Sequence, residues 1–239
     1  MQDLLSLLAW GPTGWGDELI SGAGLTLLLA VCTLPIGLTA GLFIALAKNS
    51  SSWWQSALGN IYTTVFRALP ELLTILIIYY GGQSLLRAVA LALGFGGDVE
   101  VNGFAAGLFA LGTVLAAFSS EVWLGALRSV SKGQREGAAA LGIHRFHAFW
   151  LVVFPQLLRT ALPGLGNNWM ALLKDTSLVS AIAFTDLMRM TNIAVGVTKR
   201  AFFFYLICCL LYLIMAVVSA QVIVKLEKRA NRGLVRGRA

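Results

Sequence analysis

Residues 19–47 contain no charged side chain, and residues 201–224 contain none either. Runs of this length leave few options. About 20 apolar residues in a row match the hydrocarbon thickness of a bilayer as one helix, and a helix satisfies its own backbone polar groups there. Composition agrees, with 58% hydrophobic and 12% charged residues, where soluble domains carry roughly a quarter charged. A soluble fold of 239 residues could not bury so much apolar sequence. The expectation is an all-α integral membrane protein built as a single domain over residues 1–239.

Three further spans complete the pattern. One covers residues 57–86, interrupted in its first half by Arg67, Pro70 and Glu71. Another covers residues 103–127, with Glu121 near its end. The fourth covers residues 163–185 and carries Lys174 and Asp175 in its middle. Five spans put the termini on opposite faces. Met1-Gln2-Asp3 lacks the basic start of a cleaved signal peptide, so the first hydrophobic segment is expected to stay.

Charge sets the orientation. Lys48, Arg128, Lys132, Arg135, Arg145, Arg159, Lys225, Lys228, Arg229, Arg232, Arg236 and Arg238 fall on one side. Only Arg87, Arg189, Lys199 and Arg200 fall on the other. The positive-inside rule then assigns the first side to the cytoplasm and the N-terminus to the outside. The formal charge of +7 follows from this asymmetry and gives no reason to invoke nucleic acid. Trp10, Trp15, Trp53, Trp54 and residues 202–205 cluster near span ends, as interfacial anchors do.

Several chemistries find no support. Cys32, Cys208 and Cys209 have neither disulfide nor metal-ligand spacing. His144 and His147 lack a third ligand nearby and read as solvated loop residues. No phosphate loop of the G-x-x-x-x-G-K-[ST] type occurs, so the chain is not expected to be an enzyme or to hydrolyse ATP itself. No cofactor is expected within it.

The basic loop at residues 128–160 is more specific. It reads Arg135-Glu136-Gly137-Ala138-Ala139-Ala140-Leu141-Gly142, then Val152-Val153-Phe154-Pro155. This resembles the EAA loop of permease subunits in bacterial ABC importers, with Glu136, Ala138, Gly142 and Pro155 at the family's spacing and Gly137 in place of the usual Ala. Ser119-Ser120-Glu121-Val122-Trp123-Leu124-Gly125-Ala126 is similar to the run before that loop in polar amino-acid permeases. Leu124 and Ser131 depart from it where relatives carry Arg and Pro.

The resemblance implies a type I importer permease fold with a short cytoplasmic coupling helix, near residues 134–141. Arg135, Glu136, Ala138, Ala139, Gly142 and Pro155 would contact a separate ATP-binding cassette ATPase. ATP would bind that partner. A solute-binding protein outside the membrane and a second permease are the other implied partners, a heteromer being expected in the histidine/octopine group. The implied location is the bacterial inner (cytoplasmic) membrane.

Two clusters bear on the solute. Arg67-Ala68-Leu69-Pro70-Glu71 resembles the Arg-Gly-x-Pro motif of histidine- and opine-type permeases, with Ala68 for Gly. Proline breaks or kinks a helix, and irregular backbone at membrane depth occurs where protein or a water-filled cavity covers it. An ordinary kink with an Arg67–Glu71 pair one turn apart is the plainer alternative. In the fourth span, Asn168, Ala171 and Asp175 share a helix face. Charges at that depth usually face a cavity or each other. Lys174 and Asp175 are adjacent and are expected to need different partners. Asn167-Asn168-Trp169 and Lys174-Asp175-Thr176-Ser177-Leu178 look like the matching span of basic amino-acid and opine permeases.

Arg67, Pro70, Glu71, Asn168, Asp175 and Ser177 are therefore the expected solute path. The expected function is ATP-driven import of a polar, basic amino acid or an opine. An ion-driven secondary transporter should show paired broken helices in two halves, and only the Pro70 break is evident. A membrane anchor for a cytoplasmic complex would not need Asn168 and Asp175 on one intramembrane face.

Overall fold

The computed structural model describes residues 4–12, 14–94, 101–182 and 184–231, and these are helical with no strand among them. A short 3-10 turn at Leu4–Leu8 precedes α1, Gly16–Lys48, which crosses the membrane as one 33-residue helix despite Pro35 inside it. Then come α2 (Trp53–Ala68), α3 (Glu71–Ala92) and α4 (Gly103–Ser129). The loop holds α5 (Lys132–Ala140), α6 (Arg145–Ala148) and a π-helical turn at Phe149–Val153. The chain finishes with α7 (Phe154–Asp175), a 3-10 segment at Thr176–Ile182, α8 (Leu187–Thr198) and α9 (Ala201–Ala230). Among the described residues, five segments are long and apolar enough to span: α1, α3, α4, the run Arg145–Ile182, and α9.

Two expected spans differ in detail. The second splits at Leu69, which is extended (φ −81°, ψ 142°) because a residue before proline avoids the α region. Glu71 then opens a new helix. The fourth begins earlier than residue 163: α7 already starts at Phe154 and carries Pro163 inside it. Pro155 sits in its first turn, where a missing N–H costs nothing. The basic tail residues Arg232, Arg236 and Arg238, like Met1 to Asp3, lie outside the described residues.

Helix α4 is the centre, packed most extensively against α1 and next against α7. Bilayers supply no hydrophobic force between helices, so close approach and hydrogen bonds must hold them together. Gly37 and Gly41 of α1 leave no room for a side chain against Leu115 and Ser119 of α4. Ser119 Oγ donates to the Gly37 carbonyl at 3.2 Å, and Trp123 Nε1 donates to the Leu38 carbonyl at 3.0 Å. On the far half, Leu187 N donates to Thr26 Oγ1 at 3.1 Å, fastening α8 to α1. Outward apolar residues such as Phe43, Ile61 and Ile214 stay uncovered, as a lipid-facing surface requires.

Candidate functional site

The break at Pro70 opens onto a cavity of about 200 Å³. Its wall comes from α3 (Glu71, Ile75), α4 (Leu111, Val114, Leu115, Phe118) and α7 (Asn168, Ala171, Leu172, Lys174, Asp175). The polar groups arise from two helix terminations. Glu71 is the first residue of α3, directly after the break, and Asp175 is the last residue of α7 before the backbone tightens into a 3-10 turn. Two acids, one base and a side-chain amide thus converge on an otherwise apolar pocket. Such a pocket suits a small ligand with a cationic end and at least one carboxylate.

Of the expected path residues, Glu71, Asn168 and Asp175 line the cavity, and Arg67, Pro70 and Ser177 do not. Pro70 shapes the break. Ser177 turns back to donate to the Lys174 carbonyl at 2.7 Å. Lys174 and Asp175, expected to need different partners, both line this cavity. Arg67 and Glu71 do not form a one-turn pair, since no continuous helix joins them across Pro70. Arg67 Nη1 lies instead 3.4 Å from Glu121 Oε1.

A side-chain contact joins the loop to α7, the helix that also bears Asn168 and Asp175. Gln156 Nε2, on α7, donates to Gln134 Oε1 on α5 at 3.2 Å and to the Val152 carbonyl at 2.9 Å. Helix α5 ends as its sequence requires: Gly142 takes φ +74°, the left-handed conformation that glycine adopts without strain, and Ile143 N bonds back to the Ala138 carbonyl at 3.0 Å. Of the helix's nine residues only Ala138 is buried. Arg135, Glu136 and Ala139 are exposed beside Leu141, which is 80% exposed. Pro155 is exposed on the next helix. Phe146 and Leu151 add further uncovered apolar surface. A short polar helix thus stands beside exposed leucine and phenylalanine side chains.

His144 and His147 lie with ring centroids 6.5 Å apart, and His144 caps α6 by accepting from Phe146 N at 3.4 Å. Among the described residues no group of His, Cys, Asp and Glu forms a metal site.

An all-helical chain with five segments of spanning length, a short loop helix and a polar-lined cavity between them has the architecture of an importer permease. Residues 37–232 match the family described as binding-protein-dependent transport system inner membrane component, and the chain belongs to that family. It is 41% identical to the nopaline transport system permease protein NocQ of Agrobacterium fabrum, over 96% of this chain and 98% of that one. It is 35% identical to the histidine/lysine/arginine/ornithine transport system permease protein HisQ of Escherichia coli, over 93% and 97% of the two chains. A crystal structure of an amino acid ABC transporter with histidines superposes with a TM-score of 0.77 at 32% identity, covering 96% of this chain and 99% of that one. The inward-facing MetNI methionine ABC transporter shares the fold, with a TM-score of 0.71 at 15% identity over 90% of this chain and 96% of that one. The chain is a permease subunit of an ABC importer, which sets aside the ion-driven transporter and the membrane anchor.

Proposed function

We propose that this permease passes a basic amino acid or an opine inward through the cavity between α3, α4 and α7. The observation that carries the reading is the meeting of Glu71, Asp175, Lys174 and Asn168 at the Pro70 break. The acids attract an ammonium or guanidinium group, and Lys174 attracts a carboxylate. Both solute classes carry these groups, and the names of the relatives point the same way. The N-terminus lies outside and α5 faces the cytoplasm, an orientation supported by the Lys and Arg count. There α5, through Arg135, Glu136, Ala138, Ala139 and Gly142, docks on a separate ATPase that binds ATP. Pro155 fixes the start of α7 beside that interface. A related second permease completes the membrane unit, and a solute-binding protein delivers solute from outside.

Uptake by Asp175→Asn complexes tests the site. Assembly and ATP hydrolysis should persist while uptake of arginine falls at least ~10-fold, the loss of about 1.4 kcal/mol that one charge-assisted contact supplies. Unchanged rate and unchanged solute preference would remove Asp175 from the path.

A further inference from the structure

Directly beyond Phe118, which forms part of the cavity wall, four side chains from three helices meet. Lys48 ends α1, and its side chain is only 3% exposed. Its Nζ donates to Thr63 Oγ1 of α2 at 3.0 Å and to Glu121 Oε1 of α4 at 2.5 Å. Gly59 of α2 makes room for it, since a Cβ there would lie 2.5 Å from Lys48 Cγ. Arg67, also of α2, reaches the same Glu121 oxygen at 3.4 Å, and its guanidinium lies 5.5 Å from the Phe118 ring centroid. Helix directions place this cluster relative to the cavity. Glu121 follows Phe118 by one turn toward the α5 end of α4, and Arg67 precedes Glu71 on that same side of the break.

We propose that Arg67 is a positioning residue for transport. It latches α2 to α4 across the cytoplasmic end of the cavity and lets go when solute is released inward. The proposal rests on reading that cavity as the solute path and the α5 face as cytoplasmic. The two cations on Glu121 are unequal. Separating Lys48 from Glu121 strands a buried charge, which costs several kcal/mol. Separating Arg67 leaves Glu121 paired with Lys48, and Arg67 itself is 45% exposed, so less is lost than when the buried Lys48 is separated. A link of that kind is weak and reversible. The Leu69–Pro70 break supplies the hinge, because α2 ends there and Pro70 has no N–H to bond across it. Helix α2 is held to α1 by Lys48 through Thr63 and to α4 by the Tyr62 hydroxyl, which donates to the Thr113 carbonyl at 2.8 Å, so the part that can move is its last turn, residues 64–68, beside the break.

The test uses the reconstituted importer, with its ATPase and solute-binding protein, in oriented proteoliposomes. Cys32, Cys208 and Cys209 are replaced, and Ala171→Cys reports from the cavity. A membrane-impermeant maleimide is then added to one face at a time without ATP. Arg67→Gln should raise labelling from the α5 face ~5-fold, the population change that about 1 kcal/mol brings. Arg67→Lys should restore most of the closure, and Phe118→Leu should give a partial increase, so the prediction stands if one variant fails to assemble. Unchanged labelling from the α5 face in all assembled Arg67 and Phe118 variants overturns the latch, as does an increase confined to the opposite face. Arginine as solute should protect Ala171→Cys in the parental complex. If it does not, the solute-path reading fails, whatever the Arg67 variants do.

Discussion

Lys48 and Glu121 stand 73 positions apart in the chain and form an ion pair that joins the end of α1 to the C-terminal half of α4. Neither helix shows this contact in its own periodicity. Removing Glu121 alone, by Glu121→Leu, leaves the buried lysine without a counter-ion and should destabilise the assembled permease by about 3–5 kcal/mol. The double variant Lys48→Met/Glu121→Leu removes both charges and should recover most of that loss. Thermal unfolding of the detergent-solubilised complex, with the single Lys48→Met for the full cycle, measures the coupling directly.

Gly142 makes a second, conformational prediction. Nothing lies within 4 Å of the Cβ it lacks, so a substitution there meets no clash, only the left-handed backbone at φ +74°. Gly142→Ala should therefore cost about 1–2 kcal/mol locally, and Gly142→Asn should cost less because Asn tolerates this region. Gly142→Trp adds bulk to an exposed face and should lower ATPase association much more than Gly142→Ala does. Leu141→Asp, on the 80% exposed neighbour, should weaken association without affecting folding of the permease. Copurification of ATPase with permease reads both effects. Full association of Leu141→Asp would move the docking surface elsewhere.

The local features were legible in the sequence: uncharged runs of spanning length, a proline before Glu71, and a glycine that ends a short polar helix. Each is set by chemistry within a few residues. The tertiary pairings were not legible. Arg67 has Glu71 as its nearest acid in sequence, yet Pro70 interrupts the helix that would align them, and Glu121 from α4 takes the place. Lys48 looked like a marker of the inner face and is buried as a structural partner. Leu141 and Phe146 carried no motif signal, and only their exposure on the folded loop singles them out.

Asp186, beyond the fourth span, gives the pH prediction. It is fully buried, and one carboxylate oxygen caps α8 by accepting from Arg189 N at 2.9 Å. The other oxygen has no hydrogen-bond partner. Burial pushes its carboxyl up to about 6, against the cap bonds and the Arg189 charge, which act in the opposite direction. Cys208 and Tyr212 of α9 face the same group. An acid whose folded value is raised binds more protons folded than unfolded. Its contribution is complete below the unfolded value of about 4 and is lost as pH rises through about 6. The complex should gain about 1 kcal/mol of stability on going from pH 7 to pH 5 through this one residue. Asp186→Asn keeps a capping side chain and should flatten that part of the profile while raising stability at pH 7. Melting temperatures across this range, for both proteins in one detergent, decide it. A parallel profile in the variant would show that Asp186 does not take up a proton in the folded state.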